Sequence, residues 1–181
     1  EYECSAAPLD ASQGGRRGME SFLLSRYRQE YGESTLCNFG RFHPRYRKST
    51  NRKKNRRGGR LADDHKDNPA GGPSVPPLPV VGKPGDSDWM GLVWSGKKKL
   101  DGENIGMVPS RAGLYILSDI DSNDIIYIGQ SSDCAKRLRD HAMKFLDDKD
   151  LMFSCYISEN LLLPHNLKEW ENDLIGSYFE I

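Results

Sequence analysis

The sequence has few apolar residues for its length and no long run of them. Only 36% of its 181 residues are hydrophobic, whereas 29% are charged. Apolar side chains are therefore sufficient for a core over only part of the chain. The absence of an 18-residue apolar run argues against a membrane-spanning helix, and nothing in the sequence resembles a signal peptide.

Cysteine is also scarce, and its spacing excludes the common metal-binding modules. The four cysteines contain no CxxC pair and no metal-ligand spacing. Two of them fall on apparently apolar faces, so we expect reduced core thiols and a cytoplasmic, intracellular protein. The cysteines are Cys4, Cys37, Cys134 and Cys155.

Net charge is absent overall, yet the charges are unevenly distributed. The first 100 residues contain 19 Lys and Arg against 11 Asp and Glu, whereas residues 101–181 contain 7 against 15. An asymmetry of this kind suggests that the first half binds an anionic partner.

The most basic segment, residues 41–60, is the predicted nucleic-acid-binding arm. Ten of its twenty residues are Arg or Lys, none is acidic, and aromatic side chains are interleaved. The alternative interpretation is a disordered basic tail or a localisation signal. The residues predicted to contact nucleic acid are Arg41, His43, Arg45, Tyr46, Arg47, Lys48, Arg52, Lys53, Lys54, Arg56, Arg57 and Arg60.

The rest of the first 108 residues predicts one helix and a linker. Apolar residues at helical spacing predict a helix over 19–31, ended by Gly32. Six of the ten prolines lie in residues 69–84, and the apolar segment 88–95 is expected to pack on the following domain. The predicted regions are a helix and basic arm (1–68), a proline-rich strap (69–108) and a C-terminal folded domain (109–181).

The last region predicts an α+β fold in the order ββαβα. Its sheet is expected to have three strands, mixed or antiparallel, flanked by helices. The predicted elements are strands at 113–118, 124–129 and 151–157, a helix at about 133–147, and a last helix that begins after Asn166 with Glu169 facing outward as a cap partner.

Five residues of this region form the candidate site. A hairpin that opposes Tyr115 and Tyr127 would place both phenols on one face. Arg137 and His141 are four residues apart on a helix and share a side of it. Glu171 falls within an apolar helical stripe, where an unpaired carboxylate is costly. The alternatives are two strand tyrosines that fill a half-buried face, a solvated Arg/His edge, and a carboxylate that is salt-bridged or reaches solvent.

Two motifs and an arginine carry a family resemblance. From about residue 110 to the end, the chain resembles the GIY-YIG nuclease family. The residues concerned are Gly113-Leu114-Tyr115, Tyr127-Ile128-Gly129 and Arg137, ten residues after Tyr127, with Glu171-Asn172-Asp173-Leu174-Ile175 resembling the glutamate-containing helix of the family.

The resemblance implies a metal-dependent DNA endonuclease and gives each residue a role. Tyr115 would be the general base for the attacking water, with Tyr127 and His141 orienting it. Arg137 would stabilise charge on the phosphate, and Glu171 would hold one divalent cation, Mg²⁺, with Mn²⁺ tolerated. The substrate would be double-stranded DNA, and the products would carry 5′-phosphate and 3′-hydroxyl ends.

The chain departs from the family pattern at two positions. Gln130 stands where relatives have a lysine after the second motif. The chain ends at Ile181, ten residues after Glu171, before the position of the family's asparagine. We therefore expect a catalytic domain that is truncated at its C-terminus.

The sequence is compatible with several functional hypotheses. One is a restriction-type enzyme, and another is a repair or mobile-element nuclease. A different class is a catalytically inactive GIY-YIG fold that only binds nucleic acid, and a third is an adaptor that uses the proline-rich strap. A homodimer would suit the cleavage of both strands of a symmetric site.

Overall fold

The computed structural model describes residues 6, 8, 12–35, 38–39, 46–47, 54–55, 58–60, 73–144, 150–159 and 162–180. Its helices are α1 (Gln13–Tyr31), α2 (Gly102–Gly106), α3 (Cys134–Lys144) and α4 (Pro164–Glu180), with a 3₁₀ turn at Trp89–Gly91. Its strands are β1 (Tyr46–Arg47), β2 (Gly59–Arg60), β3 (Lys98–Lys99), β4 (Gly113–Asp119), β5 (Ile125–Ser131) and β6 (Leu151–Ile157). Within these ranges, no helix has both the length and the apolarity needed to cross a bilayer.

The central sheet is antiparallel and has four strands in the order β3-β6-β4-β5. The predicted α+β class is confirmed, but the sheet has one strand more than predicted. The additional strand, β3, pairs Lys98 with Phe153 and Lys99 with Met152. Two consecutive lysines lack the apolar alternation that marks a strand in sequence, so only the pairing reveals it. Strands β1 and β2 form a separate ladder.

Both faces of β4 are buried, and alternate residues enter two different cores. Tyr115 and Leu117 point toward α2 and α3, whereas Leu114 and Ile116 point toward α4. The sheet is thus the middle layer of three. The buried residues on the α3 side are Ile105, Tyr115, Leu117, Cys134, Leu138, Leu151, Phe153 and Cys155. Those on the α4 side are Leu78, Trp89, Met90, Leu92, Trp94, Leu114, Ile116, Ile128 and Leu174.

Residues 73–95 of the predicted 69–108 region, called the strap from here on, complete the core on the α4 side. Trp89 is fully buried, and the indole of Trp94 donates to its carbonyl oxygen at 3.0 Å. Gly91 has φ 68°, and a Cβ at this position would lie 2.5 Å from the ring of Pro79. Glycine therefore allows both the left-handed turn and the close approach of the proline.

Helix α1 packs on α4, and its buried residues are small or polar rather than apolar. Gly18, Ser25 and Arg28 are buried, whereas Leu23 and Tyr31 are each 59% exposed. A Cβ on Gly176 of α4 would lie 2.5 Å from the Cβ of Ser25, so only small side chains fit at this crossing. The helix begins six residues before the predicted start, where the Ser12 hydroxyl accepts from the Gly15 amide.

Helix α4 begins at Pro164, earlier than predicted, because proline lacks the amide hydrogen that a first helical turn leaves unpaired. The Asn166 side chain accepts from the Leu163 amide at 3.0 Å. The prediction that Glu169 faces outward is wrong, since its side chain is fully buried. Its carboxylate accepts from the Val75 amide at 2.9 Å, so it binds the strap instead of facing solvent.

Candidate active site

The β4–β5 hairpin brings the two tyrosines together, but with a register different from the predicted one. Tyr115 lies opposite Gly129, and Tyr127 lies opposite Leu117, so the tyrosines are diagonal neighbours rather than directly opposed. A register shift after Leu117 accompanies this offset. Residues two apart on a strand share a face, and the rings accordingly stack with centroids 5.9 Å apart and planes inclined by 18°.

Gly129 makes room for this stack. A Cβ built at Gly129 would lie 2.6 Å from the hydroxyl oxygen of Tyr115 and 2.5 Å from the ring of Tyr127. Both contacts are shorter than any that packed side chains tolerate. The glycine of the second motif is thus required by the two phenol rings that lie over it.

Helix α3 adds a histidine to the stack. Asp133 caps the helix, because its carboxylate accepts from the Lys136 amide at 2.9 Å. Buried Leu138 holds α3 against the sheet, and this places the Nε2 atom of His141 at 2.9 Å from the hydroxyl oxygen of Tyr115. The imidazole centroid lies 5.4 Å from the Tyr115 ring and 5.1 Å from the Tyr127 ring.

Burial sets the protonation of this pair. It raises the pKa of Tyr115 above the ordinary phenol value, although the nearby Arg137 guanidinium opposes the shift. Burial also lowers the pKa of His141, and the charge of Arg137 lowers it further. At neutral pH, a neutral phenol therefore meets a neutral imidazole, and Nε2 can accept the phenol hydrogen when the imidazole proton is on Nδ1.

Glu171 reaches the site from α4, on the opposite side of the sheet. Helix α4 packs against β5, the edge strand, and the Glu171 carboxylate accepts a hydrogen bond from the Gln130 amide. Burial raises the pKa of Glu171 to about 7, opposed by that hydrogen bond and by the charges of Lys168 and Arg137. The carboxylate therefore titrates near neutral pH and is poorly compensated within the protein.

Arg137, on α3, is near enough to act electrostatically on groups from both sides of the sheet. Its charge acts on Tyr115, His141 and Glu171. The side chain is exposed, and within the described part of the chain it makes no hydrogen bond or ion pair of its own. A guanidinium in this situation is available to a phosphate from solvent. Arg139 is also exposed, and its charge is not among those that act on these three groups.

No protein-family model, curated protein or solved structure matches the chain. The GIY-YIG resemblance is therefore a hypothesis based on the motifs and on the geometry given above.

The residues around Glu171 are compatible with a weakly bound divalent cation. Among the residues that the structure describes, no three His, Cys, Asp or Glu side chains converge to form a metal cage. Mg²⁺ does not require such a cage, because it commonly binds one or two carboxylates and keeps water or substrate phosphate as its other ligands. Glu171 supplies one carboxylate within electrostatic range of Arg137, whose side chain makes no bond within the described residues, and this arrangement fits that mode of binding.

The structure describes only part of the predicted nucleic-acid-binding arm. Tyr46 pairs with Arg60 in the β1–β2 ladder, and Lys54 and Arg60 are exposed. Between the strands, Asn55 adopts φ 52°. The other predicted contact residues lie outside the described residues, except for the backbone of Arg47 in β1; they are Arg41, His43, Arg45, Lys48, Arg52, Lys53, Arg56 and Arg57.

Sequence reasoning missed two contributors to the site. The first is the backbone amide of Gln130, whose role depends on β5 being an edge strand and has no sequence signal. The second is Lys168, an exposed residue whose charge acts on Glu171. Its position three residues before Glu171 on a helix would have predicted their proximity.

Proposed function

We propose that this chain is a metal-dependent DNA endonuclease of the GIY-YIG type. It would hydrolyse phosphodiester bonds to 5′-phosphate and 3′-hydroxyl ends. The strongest support is the 2.9 Å contact between the Tyr115 hydroxyl and His141 Nε2, near a half-buried glutamate and an arginine whose side chain makes no bond within the described residues. Residues that only filled space would not bring a base, a cation and a carboxylate within electrostatic range of one another.

The Tyr115–His141 pair supplies the base. Burial raises the pKa of Tyr115, so a phenolate is not present in advance to deprotonate water. The neutral imidazole accepts the phenol hydrogen as the phenol oxygen takes a proton from the attacking water. His141 is thus the final proton acceptor and Tyr115 the group that touches the water. Tyr127, 43% exposed, orients the water or the phosphate from the solvent side.

Arg137 and Glu171 act on the phosphate. The guanidinium of Arg137 donates to the non-bridging oxygens, where negative charge grows in the transition state. Glu171 would hold the divalent cation, which would supply Lewis-acid stabilisation of the phosphate and of the leaving oxygen. Because burial raises the pKa of Glu171 to about 7, the carboxylate holds a cation best above neutral pH.

The basic arm supplies most of the DNA affinity. Residues 101–181 contain 15 acidic residues against 7 basic ones, so the catalytic half repels a polyanion overall. Residues 41–60 contain ten cations and no acidic residue. Electrostatic contacts with DNA phosphates therefore come chiefly from this segment.

A plasmid assay tests the proposal. Supercoiled DNA is incubated with the protein and Mg²⁺, with EDTA as the metal control, beside Tyr115→Phe and Glu171→Ala. Arg139→Ala is the matched control, because Arg139 is an exposed cation on the same helix as Arg137. Nicking or linearisation that both site variants abolish and Arg139→Ala retains is the expected result. Binding without cleavage, across several metals, would favour the inactive binding module instead.

A further inference from the structure

A buried ionic cluster lies on the far side of α4 from the candidate site. Its members are Arg28 of α1 and Glu169 and Asp173 of α4, and all three are fully buried. Arg28 Nε and Nη2 bind the two Asp173 oxygens at 2.7 and 3.0 Å. Arg28 Nη1 lies 3.7 Å from a Glu169 oxygen. Three charges without solvent access are expensive to bury, so the cluster requires an explanation beyond general stability.

The cluster joins three separate segments of the chain. The remaining hydrogens of Arg28 bind the hydroxyl oxygens of Ser34 and Ser74, at 2.6 and 3.1 Å, and the Val75 carbonyl oxygen at 3.2 Å. All five N–H bonds of the guanidinium therefore have acceptors. The Ser74 hydroxyl in turn donates to Glu169 at 2.8 Å.

The two carboxylates also bind the strap directly. Glu169 accepts from the Val75 amide at 2.9 Å, and Asp173 accepts from the Leu78 amide at 3.1 Å. These bonds are directional, whereas the apolar contacts of α4 are not. Directional bonds at both ends of one helical turn fix the rotation of α4 about its axis and its position along that axis.

Glu171 lies between the two anchored residues in sequence. Two residues along a helix correspond to a rotation of about 200°, so a helix that buries Glu169 and Asp173 toward α1 and the strap must present Glu171 to the other side. There its carboxylate accepts from the Gln130 amide at the edge of the sheet. A small rotation of α4 would break that contact and withdraw the carboxylate from Arg137.

We propose that Arg28 is a positioning residue for the site: through Glu169, Asp173 and the strap, it holds α4 in the rotation that presents Glu171 at the edge of β5. In this arrangement α1 is part of the catalytic unit, although it contributes no group to the chemistry. The consequence for catalysis depends on the proposed nuclease function, whereas the consequence for the Gln130 contact does not.

Amide hydrogen exchange of Gln130 tests the positioning without metal or DNA. Arg28→Lys keeps the charge, but a single ammonium group cannot span the acceptors of the guanidinium. Ser74→Ala is a milder variant: it removes the hydroxyl that accepts from Arg28 and from the Ser34 amide and donates to Glu169, but leaves the Arg28–Asp173 pair in place. Each should accelerate exchange at Gln130 by about tenfold, the effect of losing one hydrogen bond to a charged group, with the amides between β4 and β5 unchanged.

Gly18→Ala provides the matched control. A Cβ on Gly18 would overlap the ring of Phe179, so this variant disturbs the packing of α1 on α4 but leaves the ionic cluster intact. Exchange at Gln130 should match the wild type in this variant. Equal acceleration in Gly18→Ala and Ser74→Ala would overturn the proposal, since general loosening of α1 would then explain both results.

Metal dependence provides the second readout. The Mn²⁺ concentration for half-maximal plasmid cleavage should rise roughly 10- to 100-fold in Arg28→Lys, the range typical for loss of a group that orients a metal ligand, and stay unchanged in Gly18→Ala. Lower thermal stability with unaltered Mn²⁺ dependence and unaltered Gln130 exchange would show a merely structural role. If the wild type cleaves nothing, the proposed function fails, and the exchange experiment alone decides the positioning.

Discussion

Replacing Glu171 by glutamine should make the folded protein more stable at pH 8 while it removes cleavage. Burial raises the pKa of this carboxyl from 4.5 to about 7, so between these values the folded state binds more protons than the unfolded state. By linkage, stability then falls as pH rises from about 4.5 to 7. The glutamine carbonyl retains an acceptor for the Gln130 amide and carries no charge to desolvate.

The magnitude follows from the size of the shift. At about 1.4 kcal/mol per pKa unit, a shift from 4.5 to about 7 corresponds to an upper limit of about 3.5 kcal/mol above pH 7. Glu171 retains some exposure to solvent, so we expect a gain of about 1–2 kcal/mol after screening. At pH 4 both states are protonated and the gain should vanish.

Urea unfolding in EDTA at pH 4 and pH 8 measures the effect, with Glu159→Gln as the control because Glu159 is exposed. Equal or lower stability of Glu171→Gln at pH 8 would refute the claim that the carboxylate is desolvated. Adding Mn²⁺ at pH 8 should narrow the difference, since only the wild type binds the ion through this carboxylate.

The same ionisation should control catalysis. The cleavage rate at subsaturating Mg²⁺ should rise as pH increases from 6 to 8, because the Glu171 carboxylate ionises near pH 7 and only its charged form binds a cation. A rate that is flat or falls across this interval would contradict that role.

Three further predictions concern other parts of the molecule. Gly129→Ala should destabilise the fold by about 1–3 kcal/mol through overpacking and abolish cleavage. Gly96→Ala is the control, because a Cβ at this position has no neighbour within 4 Å, and it should have little effect in the same urea titration. His141→Ala and Tyr115→Phe should each reduce the single-turnover rate by about 10²–10⁴, and the double variant should be no slower than the worse single one; additive losses would argue against a proton relay. Deleting residues 41–60 should flatten the salt dependence of DNA binding. For six to ten phosphate contacts, the affinity is expected to fall by about 10³–10⁵ between 50 and 200 mM salt. An unchanged slope in a filter-binding titration would show that this arm does not bind the DNA phosphates.

Local patterns were sufficient to predict the elements that carry the site. The strand at 151–157 has the predicted bounds, and the hairpin strands and α3 begin within two residues of theirs. These segments have strong periodicity, clear turn residues between the strands and a carboxylate cap at Asp133. The sequence therefore predicted which helices and strands carry the candidate site residues, but not which of these residues are in contact.

Only the tertiary structure decided which of these residues meet, and how. The register of Tyr115 against Gly129 depends on the irregularity after Leu117, which no residue pattern announces. Glu169 can be buried because Arg28, 141 residues away in sequence, compensates the charge of its carboxylate. The same arginine makes the buried side of α1 polar. Hydrophobic periodicity predicts which side of a helix or strand faces the protein interior. A buried charge, in contrast, is stable only next to a particular partner. That partner is supplied by the fold and not by the neighbouring sequence.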